Sequence, residues 1–108
     1  IGEELAKRVD FLGIGTNYLT QYTLAMDRQN PLLQKKYNDH HPAILKMIKM
    51  IVDAGHAQNC KVCLCGELAA DTRLTETFLR MGVDALSVVP ACILPVRKAL
   101  RAVCIDEK

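Results

Sequence analysis

The sequence predicts a single α/β domain with a parallel sheet, and three observations support that prediction. Three short apolar runs recur along the chain, each accompanied by a segment whose apolar residues follow helical spacing. The apolar residues in these runs are mostly continuous rather than alternating, which is typical of parallel strands covered by helices. The chain has 108 residues, of which 50% are hydrophobic and 24% charged, and this composition supports one core. We therefore expect one domain over residues 1–108.

The first strand-helix unit is predicted from apolar spacing and from the residues that end each element. Residues 2–9 carry apolar side chains at helical spacing and predict the end of a helix. Residues 10–14 are a short apolar run closed by Gly15, which predicts a buried strand. Residues 17–26 predict a short helix, and Pro31 lies in the polar loop that follows it as far as residue 39.

The second unit contains the strongest helix signal. Pro42 suits a first helical turn, because the N–H that proline lacks has no partner there. The apolar residues that follow at about 3.6-residue spacing are Ala43, Leu45, Ile48, Val52 and Ala54. This helix is expected to fray between Gly55 and Asn59, and residues 61–65, closed by Gly66, predict the second strand.

The rest of the chain predicts a helix, the third strand and a last helix, so the whole pattern is strand then helix, three times. Residues 71–81 predict an amphipathic helix that stops at Gly82, a residue type that suits a helix C-terminus. Residues 85–89 predict the third strand, and Pro95 is expected in the first turn of a last helix. The apolar stripes of the two helices are, respectively, Leu74, Phe78 and Met81, and Val96, Leu100 and Val103.

The number of units is small for a closed barrel. An eight-unit parallel barrel takes roughly 250 residues, whereas this chain has room for three units. A three-stranded sheet leaves two open edges, which favour pairing with another chain. The chain also begins without Met, a basic stretch or an apolar run, so we expect no signal peptide and a start cut from a longer chain.

Composition and charge exclude two classes of partner. Fourteen Lys and Arg against twelve Asp and Glu give a net charge of +2 without a run of like charge, which disfavours nucleic acids and anionic membranes. The longest mostly apolar stretch, residues 85–96, contains a serine and two prolines and is shorter than the roughly 20 residues of a membrane-spanning helix. We therefore expect neither nucleic-acid binding nor membrane insertion.

The number and spacing of the cysteines indicate a reducing environment. The number is odd and Cys60, Cys63 and Cys65 crowd together, so a secreted disulfide framework is not expected. The spacing also allows a zinc site, but structural zinc sites use four ligands in two spaced pairs. We favour reduced cytosolic thiols, with Cys63 acting as a small apolar side chain.

The residues that follow the strands are the candidates for chemistry, because reactive groups in parallel α/β folds collect at the carboxyl ends of strands. Asn17 and Glu67 follow the first two strands beside glycines, where ordinary turn chemistry is an equal alternative. Cys65 ends a strand beside Gly66, where a thiol can give or take a proton. A buried and inert thiol is the alternative interpretation of Cys65.

Cationic and histidine side chains supply further candidates. Arg28 can hold a phosphate or carboxylate with two hydrogen bonds, or form a solvated pair with the preceding Asp27. The pair His40 and His41 precedes a helix, and we assign it mainly to capping. His56 lies near a helix end, where the helix dipole favours it and no further role is needed.

Several motifs, in order, resemble one enzyme family. They are Gly13-Ile14-Gly15-Thr16-Asn17, Leu19-Thr20-Gln21-Tyr22-Thr23-Leu24-Ala25, Asp27-Arg28 with Asn30, His41-Pro42-Ala43, Cys65-Gly66-Glu67-Leu68-Ala69 with Asp71, Met81-Gly82-Val83-Asp84 and Leu86-Ser87. This series is similar to enzyme I of the bacterial sugar phosphotransferase system and spans nearly the whole chain.

The resemblance implies a phosphoenolpyruvate-protein phosphotransferase, a cytoplasmic and dimeric transferase. In that family a carboxyl-terminal (β/α)8 TIM barrel binds phosphoenolpyruvate and Mg²⁺, and the phosphoryl group passes to a histidine and then to a histidine-containing phosphocarrier protein for sugar transport. The chain would form the last three strand-helix units of the barrel. By similarity, Asn17 and Arg28 bind the substrate phosphate, and Cys65 protonates the enolate carbon as pyruvate forms.

One position departs from the family pattern. The family has an aspartate that ligates Mg²⁺ directly after the motif asparagine, and this sequence has Tyr18 there. A phenol is a poor ligand for Mg²⁺, which prefers carboxylate oxygens. The second family ligand, a glutamate, and the phosphorylated histidine lie outside this chain, so we expect the isolated polypeptide to be inactive.

Two other interpretations stay open. Pyruvate phosphate dikinase and phosphoenolpyruvate synthase share the barrel and the Gly-Thr-Asn and Cys-Gly-Glu motifs, although the segments 21–25 and 67–69 favour enzyme I. The alternative of another class is a non-catalytic dimerisation or binding module, which Tyr18 and the open sheet edges favour.

Overall fold

The computed structural model of the protein describes residues 1–27, 29–33 and 40–104. Its elements, in chain order, are helix α1 (Gly2–Ala6), strand β1 (Phe11–Gly15), helix α2 (Thr16–Leu24), helix α3 (Pro42–Ala57), strand β2 (Lys61–Cys65), a 3₁₀ turn (Glu67–Ala70), helix α4 (Thr75–Met81), strand β3 (Ala85–Ser87) and helix α5 (Pro90–Ala102). The predicted α/β class and the three strands are confirmed.

The three strands form one parallel sheet in the order β1-β2-β3. Gly15 of β1 is paired with Cys65 of β2, and Cys65 is paired in turn with Ser87 of β3. This register aligns the carboxyl ends of all three strands at one edge of the sheet. Among the described residues, β1 and β3 each have a neighbour on one side only, as the sequence predicted.

The helices cover one face of the sheet. Ile14, Val62 and Leu64 point to that face, and all three are buried in the main core. They pack with helix side chains that are also buried, namely Ile44, Ile48, Val52 and Phe78. The opposite face carries Cys63, Ser87 and other residues that are half-buried or exposed. Alternate side chains of each strand therefore lie on the uncovered face, so the predicted buried strands are buried on the helix side only, within the described residues.

Helix α3 begins as the sequence predicts. Pro42 occupies its first turn, and the Nδ1 atom of His41 accepts a hydrogen bond from the backbone N–H of Ala43 at 3.1 Å. The fully buried stripe consists of Ile44, Ile48, Val52 and Gly55. It differs from the predicted stripe because Ala43, Leu45 and Ala54 lie at the border of the core and are only partly buried.

Helices α1 and α4 are shorter than predicted. In α1 the buried residue is Ala6, and the predicted apolar pair Leu5 and Val9 remains about half exposed. Helix α4 begins four residues later than expected, because the Asp71 carboxylate accepts a hydrogen bond from the backbone N–H of Arg73. Such a local turn competes with the helical hydrogen-bond pattern.

The start of helix α5 corrects the prediction that Pro95 lies in its first turn. The helix begins at Pro90, and Pro95 lies inside it. Pro90 occupies a first-turn position where no N–H is needed, which also ends β3 at Ser87 rather than at Val89. Buried Val96 follows the internal proline, so the apolar face continues past it.

Asp84 fastens the amino-terminal end of the sheet to helix α3. Its carboxylate accepts a hydrogen bond from the backbone N–H of Val62 at 2.8 Å and contacts Nε2 of His56 at 2.8 Å. The Val62 N–H and the His56 ring lower the pKa of Asp84 below its usual range. His56 therefore has a partner in Asp84, the residue directly before β3. This contact corrects the expectation that His56 needs no role beyond the helix dipole.

None of the helices within residues 1–27, 29–33 and 40–104 combines the length and the hydropathy required to cross a bilayer.

We expect Asp84→Ala to lower the free energy of unfolding by about 1–3 kcal/mol, because the Val62 N–H and the His56 ring lose their acceptor. Since the folded-state pKa of Asp84 is lowered, its contribution is present above about pH 4 and is lost as the pH falls further. Urea unfolding at several pH values measures both effects. Asp53→Ala is the control, because Asp53 pairs with Lys49 on the exposed side of α3; an equal loss in both variants would contradict the prediction.

Candidate functional site

The carboxyl ends of the three strands open into one cavity of about 510 Å³. Its lining includes Asn17, Cys65, Glu67, Ser87 and Cys92. The strand register explains this meeting, because Cys65 lies between Gly15 and Ser87 on neighbouring strands. The volume falls within the range of small-molecule sites. Two of the three predicted site residues, Asn17 and Cys65, are thus brought together.

The thiol of Cys65 has a defined direction. Residue 65 is the last of β2, and its side chain lies on the sheet face that the helices leave uncovered. The Sγ atom lies 3.3 Å from the carbonyl oxygen of Ile14, to which the thiol donates a hydrogen bond. Cys65 is half-buried, so its thiol is held by the sheet and still borders the cavity.

Thr16 joins the two strand ends that carry Asn17 and Cys65. Its Oγ1 atom donates a hydrogen bond to the carbonyl oxygen of Cys65 at 2.8 Å, and its side chain is buried. The carbonyl of Thr16 accepts a hydrogen bond from Oγ1 of Thr20, also at 2.8 Å and also buried. Asn17 follows Thr16 directly, so these two hydrogen bonds also restrict the position of the Asn17 backbone.

Gly66 allows this close approach. Its φ of +98° lies in the region that favours glycine, and a Cβ atom added there would lie 2.3 Å from Oγ1 of Thr16. A side chain at position 66 would displace the Thr16 hydroxyl from the Cys65 carbonyl. The glycine after the cysteine is therefore a steric requirement of the contact between β2 and α2.

Comparison with known proteins identifies the family. The profile described as "PEP-utilising enzyme, PEP-binding domain" matches residues 1–105. The chain belongs to this family.

Three curated relatives share one name. The phosphoenolpyruvate-protein phosphotransferase of Haemophilus influenzae is 48% identical over 99 residues, which cover 92% of this chain and 17% of that protein. The proteins of the same name from Buchnera aphidicola subsp. Schizaphis graminum and Bacillus subtilis are 43% and 41% identical, covering 94% and 90% of this chain. The chain spans less than a fifth of the length of these relatives. The resemblance to enzyme I is thereby confirmed.

The position of Tyr18 bears on the Mg²⁺ that the resemblance implies for this PEP-binding family. The ring of Tyr18 stacks on that of Tyr22, with centroids 6.3 Å apart and planes 17° apart, and both rings are exposed. Tyr18 lies next to Asn17 in sequence but is absent from the lining of the Asn17–Cys65 cavity. Within the described ranges, no group of three His, Cys, Asp or Glu residues could hold a metal ion. Tyr18 therefore supplies no carboxylate to this cavity, and a phenol is a poor ligand for Mg²⁺.

The cysteines of the predicted zinc alternative have other surroundings. Cys60 is buried with its Sγ atom 3.9 Å from the carbonyl oxygen of Val9, whereas Cys65 borders the cavity. The described cysteines are all free thiols.

Of the remaining candidate residues, the structure confirms one predicted role and corrects another. Arg28 lies outside the described residues. His41 caps α3 as expected, but His40 does not share that role, because its Nε2 atom contacts the Asp71 carboxylate at 2.7 Å. The guanidinium of Arg73, hydrogen-bonded to that carboxylate, is the main cause that lowers the pKa of Asp71 to about 2. Glu67 is exposed at the mouth of the cavity.

Sequence reasoning missed three residues of this site. Thr16 was noted only as part of a motif, although a hydroxyl directly after a strand is placed to reach the neighbouring strand end. Ser87 and Cys92 line the cavity, and aligning the strand ends would have revealed Ser87 as the neighbour of Cys65. Cys92 could not be placed, because its position depends on the early start of α5 at Pro90.

We expect Gly66→Ala to destabilise the protein by at least about 1–3 kcal/mol, because alanine at this φ is strained and its Cβ displaces the Thr16 hydroxyl. The matched control is Gly13→Ala, where an added Cβ meets nothing within 4 Å and φ is not positive. The control should change the free energy of unfolding by less than about 1 kcal/mol. Urea unfolding of both variants is the measurement, and similar stabilities for the two would refute the steric argument.

Proposed function

We propose that residues 1–108 form the last three strand-helix units of the (β/α)8 barrel that binds phosphoenolpyruvate in a phosphoenolpyruvate-protein phosphotransferase. The observation that carries this proposal is the meeting of Asn17 and Cys65 in one cavity at the carboxyl ends of adjacent parallel strands. The names of the relatives supply the reaction: transfer of a phosphoryl group from phosphoenolpyruvate to a protein. The family description agrees with the substrate.

The shape of the sheet supports a barrel rather than an open, doubly wound sheet. The strands follow one another in chain order, and their buried side chains lie on one face, together with the helices. A doubly wound sheet carries helices on both faces, whereas barrel strands turn one face to the helices and the other to the interior. Gly13, Cys63 and Ala85 are paired across the uncovered face, which would be turned to the interior of a barrel.

Two cavity residues, Asn17 and Cys65, and also Arg28, which lies outside the described residues, have distinct proposed roles in this reaction. Asn17 offers an amide to the substrate phosphate, and Arg28 offers a guanidinium that neutralises it. When the phosphoryl group leaves phosphoenolpyruvate for a histidine, the enolate of pyruvate remains. Cys65 donates its thiol proton to the enolate carbon, which yields pyruvate and a thiolate. Phosphoryl transfer depends mainly on positioning and charge neutralisation, so an amide, a cation and one proton donor are suitable parts.

The proposed parent enzyme is cytoplasmic and homodimeric. It passes the phosphoryl group to a histidine-containing phosphocarrier protein and so supports sugar transport. The single-neighbour edges of β1 and β3 are consistent with further strands in the complete barrel.

A second candidate function rests on Tyr18. Its ring stacks on Tyr22 instead of supplying a carboxylate to the cavity, which favours a non-catalytic binding or dimerisation module that retains the barrel fold. Pyruvate phosphate dikinase and phosphoenolpyruvate synthase remain a weaker alternative, since the curated relatives named above are protein phosphotransferases.

We expect Cys65→Ala, in the complete polypeptide that carries these residues, to lower pyruvate formation from phosphoenolpyruvate by about 10²–10⁴-fold, the contribution typical of a general acid. Cys63→Ala is the control, because Cys63 lies on the same strand but outside the cavity lining. Pyruvate is measured by a coupled dehydrogenase assay. Equal activity of the two variants would remove Cys65 from the proposed role.

Restoring a carboxylate at position 18 separates the catalytic from the non-catalytic candidate. We expect Tyr18→Asp in the complete polypeptide to raise Mg²⁺-dependent pyruvate formation, since carboxylate oxygens suit this ion. Tyr22→Phe, which retains the ring stack, is the matched control. No gain with Tyr18→Asp would favour the binding module, and the 108-residue chain alone is expected to release no pyruvate.

A further inference from the structure

The Thr16 hydroxyl connects two positions that are far apart in the sequence. Thr16 begins α2, and its partner Cys65 ends β2, 49 residues later. The bond is 2.8 Å long, and the Thr16 residue is 1% exposed. The bond therefore ties the ends of β1 and β2 together through a side chain that is almost fully buried.

The Thr16 hydroxyl meets the Cys65 carbonyl at the point where the chain leaves strand β2. Gly66 has φ of +98° and ψ of −176°, and the 3₁₀ turn starts at the next residue. The bond from Thr16 therefore holds the end of β2 where its direction changes.

Thr16 is itself fixed on the other side. The Thr20 hydroxyl donates to its carbonyl, and Thr20 is fully buried. Asn17 follows Thr16 in the same first turn of α2, so one buried side chain relates the backbone of Asn17 to that of Cys65.

We propose that Thr16 is a positioning residue that sets the Cys65 thiol relative to Asn17 in the cavity. This proposal rests on the proposed function, in which Asn17 holds the phosphate and Cys65 protonates the enolate carbon of the same substrate. The phosphate and the enolate carbon belong to one small molecule, so binding of the phosphate determines where the carbon lies. A shift of one strand end against the other therefore leaves the phosphate bound and misplaces the proton donor.

The test compares Thr16→Val with wild type in the complete polypeptide. Valine retains the shape of threonine and removes the hydroxyl. We expect kcat for pyruvate formation to fall by about 10- to 100-fold, as a displacement near 1 Å produces. We expect KM for phosphoenolpyruvate to change by less than about threefold, since substrate binding is retained. Thr16→Ser, which restores the hydroxyl, should recover most of the loss.

A second readout follows the thiol without any substrate. Iodoacetamide alkylation is measured separately at Cys65 and Cys63 by fragment-ion mass spectrometry. In Thr16→Val, the rate at Cys65 should rise about fivefold, the factor that one net hydrogen bond carries, while the rate at Cys63 stays unchanged. General loosening of the fold would accelerate both cysteines. Thr75→Val is the matched control, because Thr75 is equally buried and its hydroxyl makes no hydrogen bond within the described part of the chain.

The outcomes separate the two proposals. A folded Thr16→Val protein with wild-type kcat and wild-type Cys65 alkylation overturns the role of Thr16, as does equal acceleration at both cysteines. A wild-type protein that forms no pyruvate refutes the proposed function. In that case, faster alkylation of Cys65 alone in Thr16→Val still supports the conclusion that Thr16 positions Cys65. If Thr16→Val does not fold, Thr16→Ala, which leaves the site unfilled rather than reshaped, is measured in the same two ways.

Discussion

The parallel register of the three strands is the constraint on which the candidate site depends. Because Gly15, Cys65 and Ser87 are paired across the sheet, the residues that follow each strand reach the same edge. A shift of one strand by one residue would exchange its two faces, since strand side chains alternate. Ile14 and Leu64 would then leave the core, so burial under the helices fixes the register that also assembles the cavity.

The sequence was sufficient for the elements whose signals are local. Pro42 and His41 start α3, and Gly82, with φ of +93°, ends α4. Pro42 and Gly82 act through their own backbone geometry, and His41 acts through its ring nitrogen. The three strands were also predictable as uninterrupted apolar runs. Pro95 misled the prediction because proline fits a first turn best, and only the preceding Pro90, with β3 ending early, shows that the helix has already begun.

The site was predictable in part, and for a different reason. Asn17 and Cys65 follow apolar strands, so the topology alone predicts that they share an edge. The hydrogen bond of the Thr16 hydroxyl and that of the Cys65 thiol depend on distances across the sheet, and apolar periodicity gives no information about these distances. The same holds for His56, whose partner Asp84 lies 28 residues away. Contacts at long sequence separation are thus the part that residue patterns leave undetermined.

Tyr18 shows how stability and chemistry compete for one position. Placed after Asn17, a carboxylate would supply the metal ligand that the family resemblance implies but would leave Tyr22 without its aromatic partner. The tyrosine instead stacks along the exposed side of α2, four residues from Tyr22, where helical neighbours meet. The bond from Thr16 to Cys65 is made on the buried side of the same helix, away from the exposed Tyr18 ring. A change at position 18 is therefore expected to leave this bond in place, so the proposed roles of position 18 and of Cys65 can be separated by mutation.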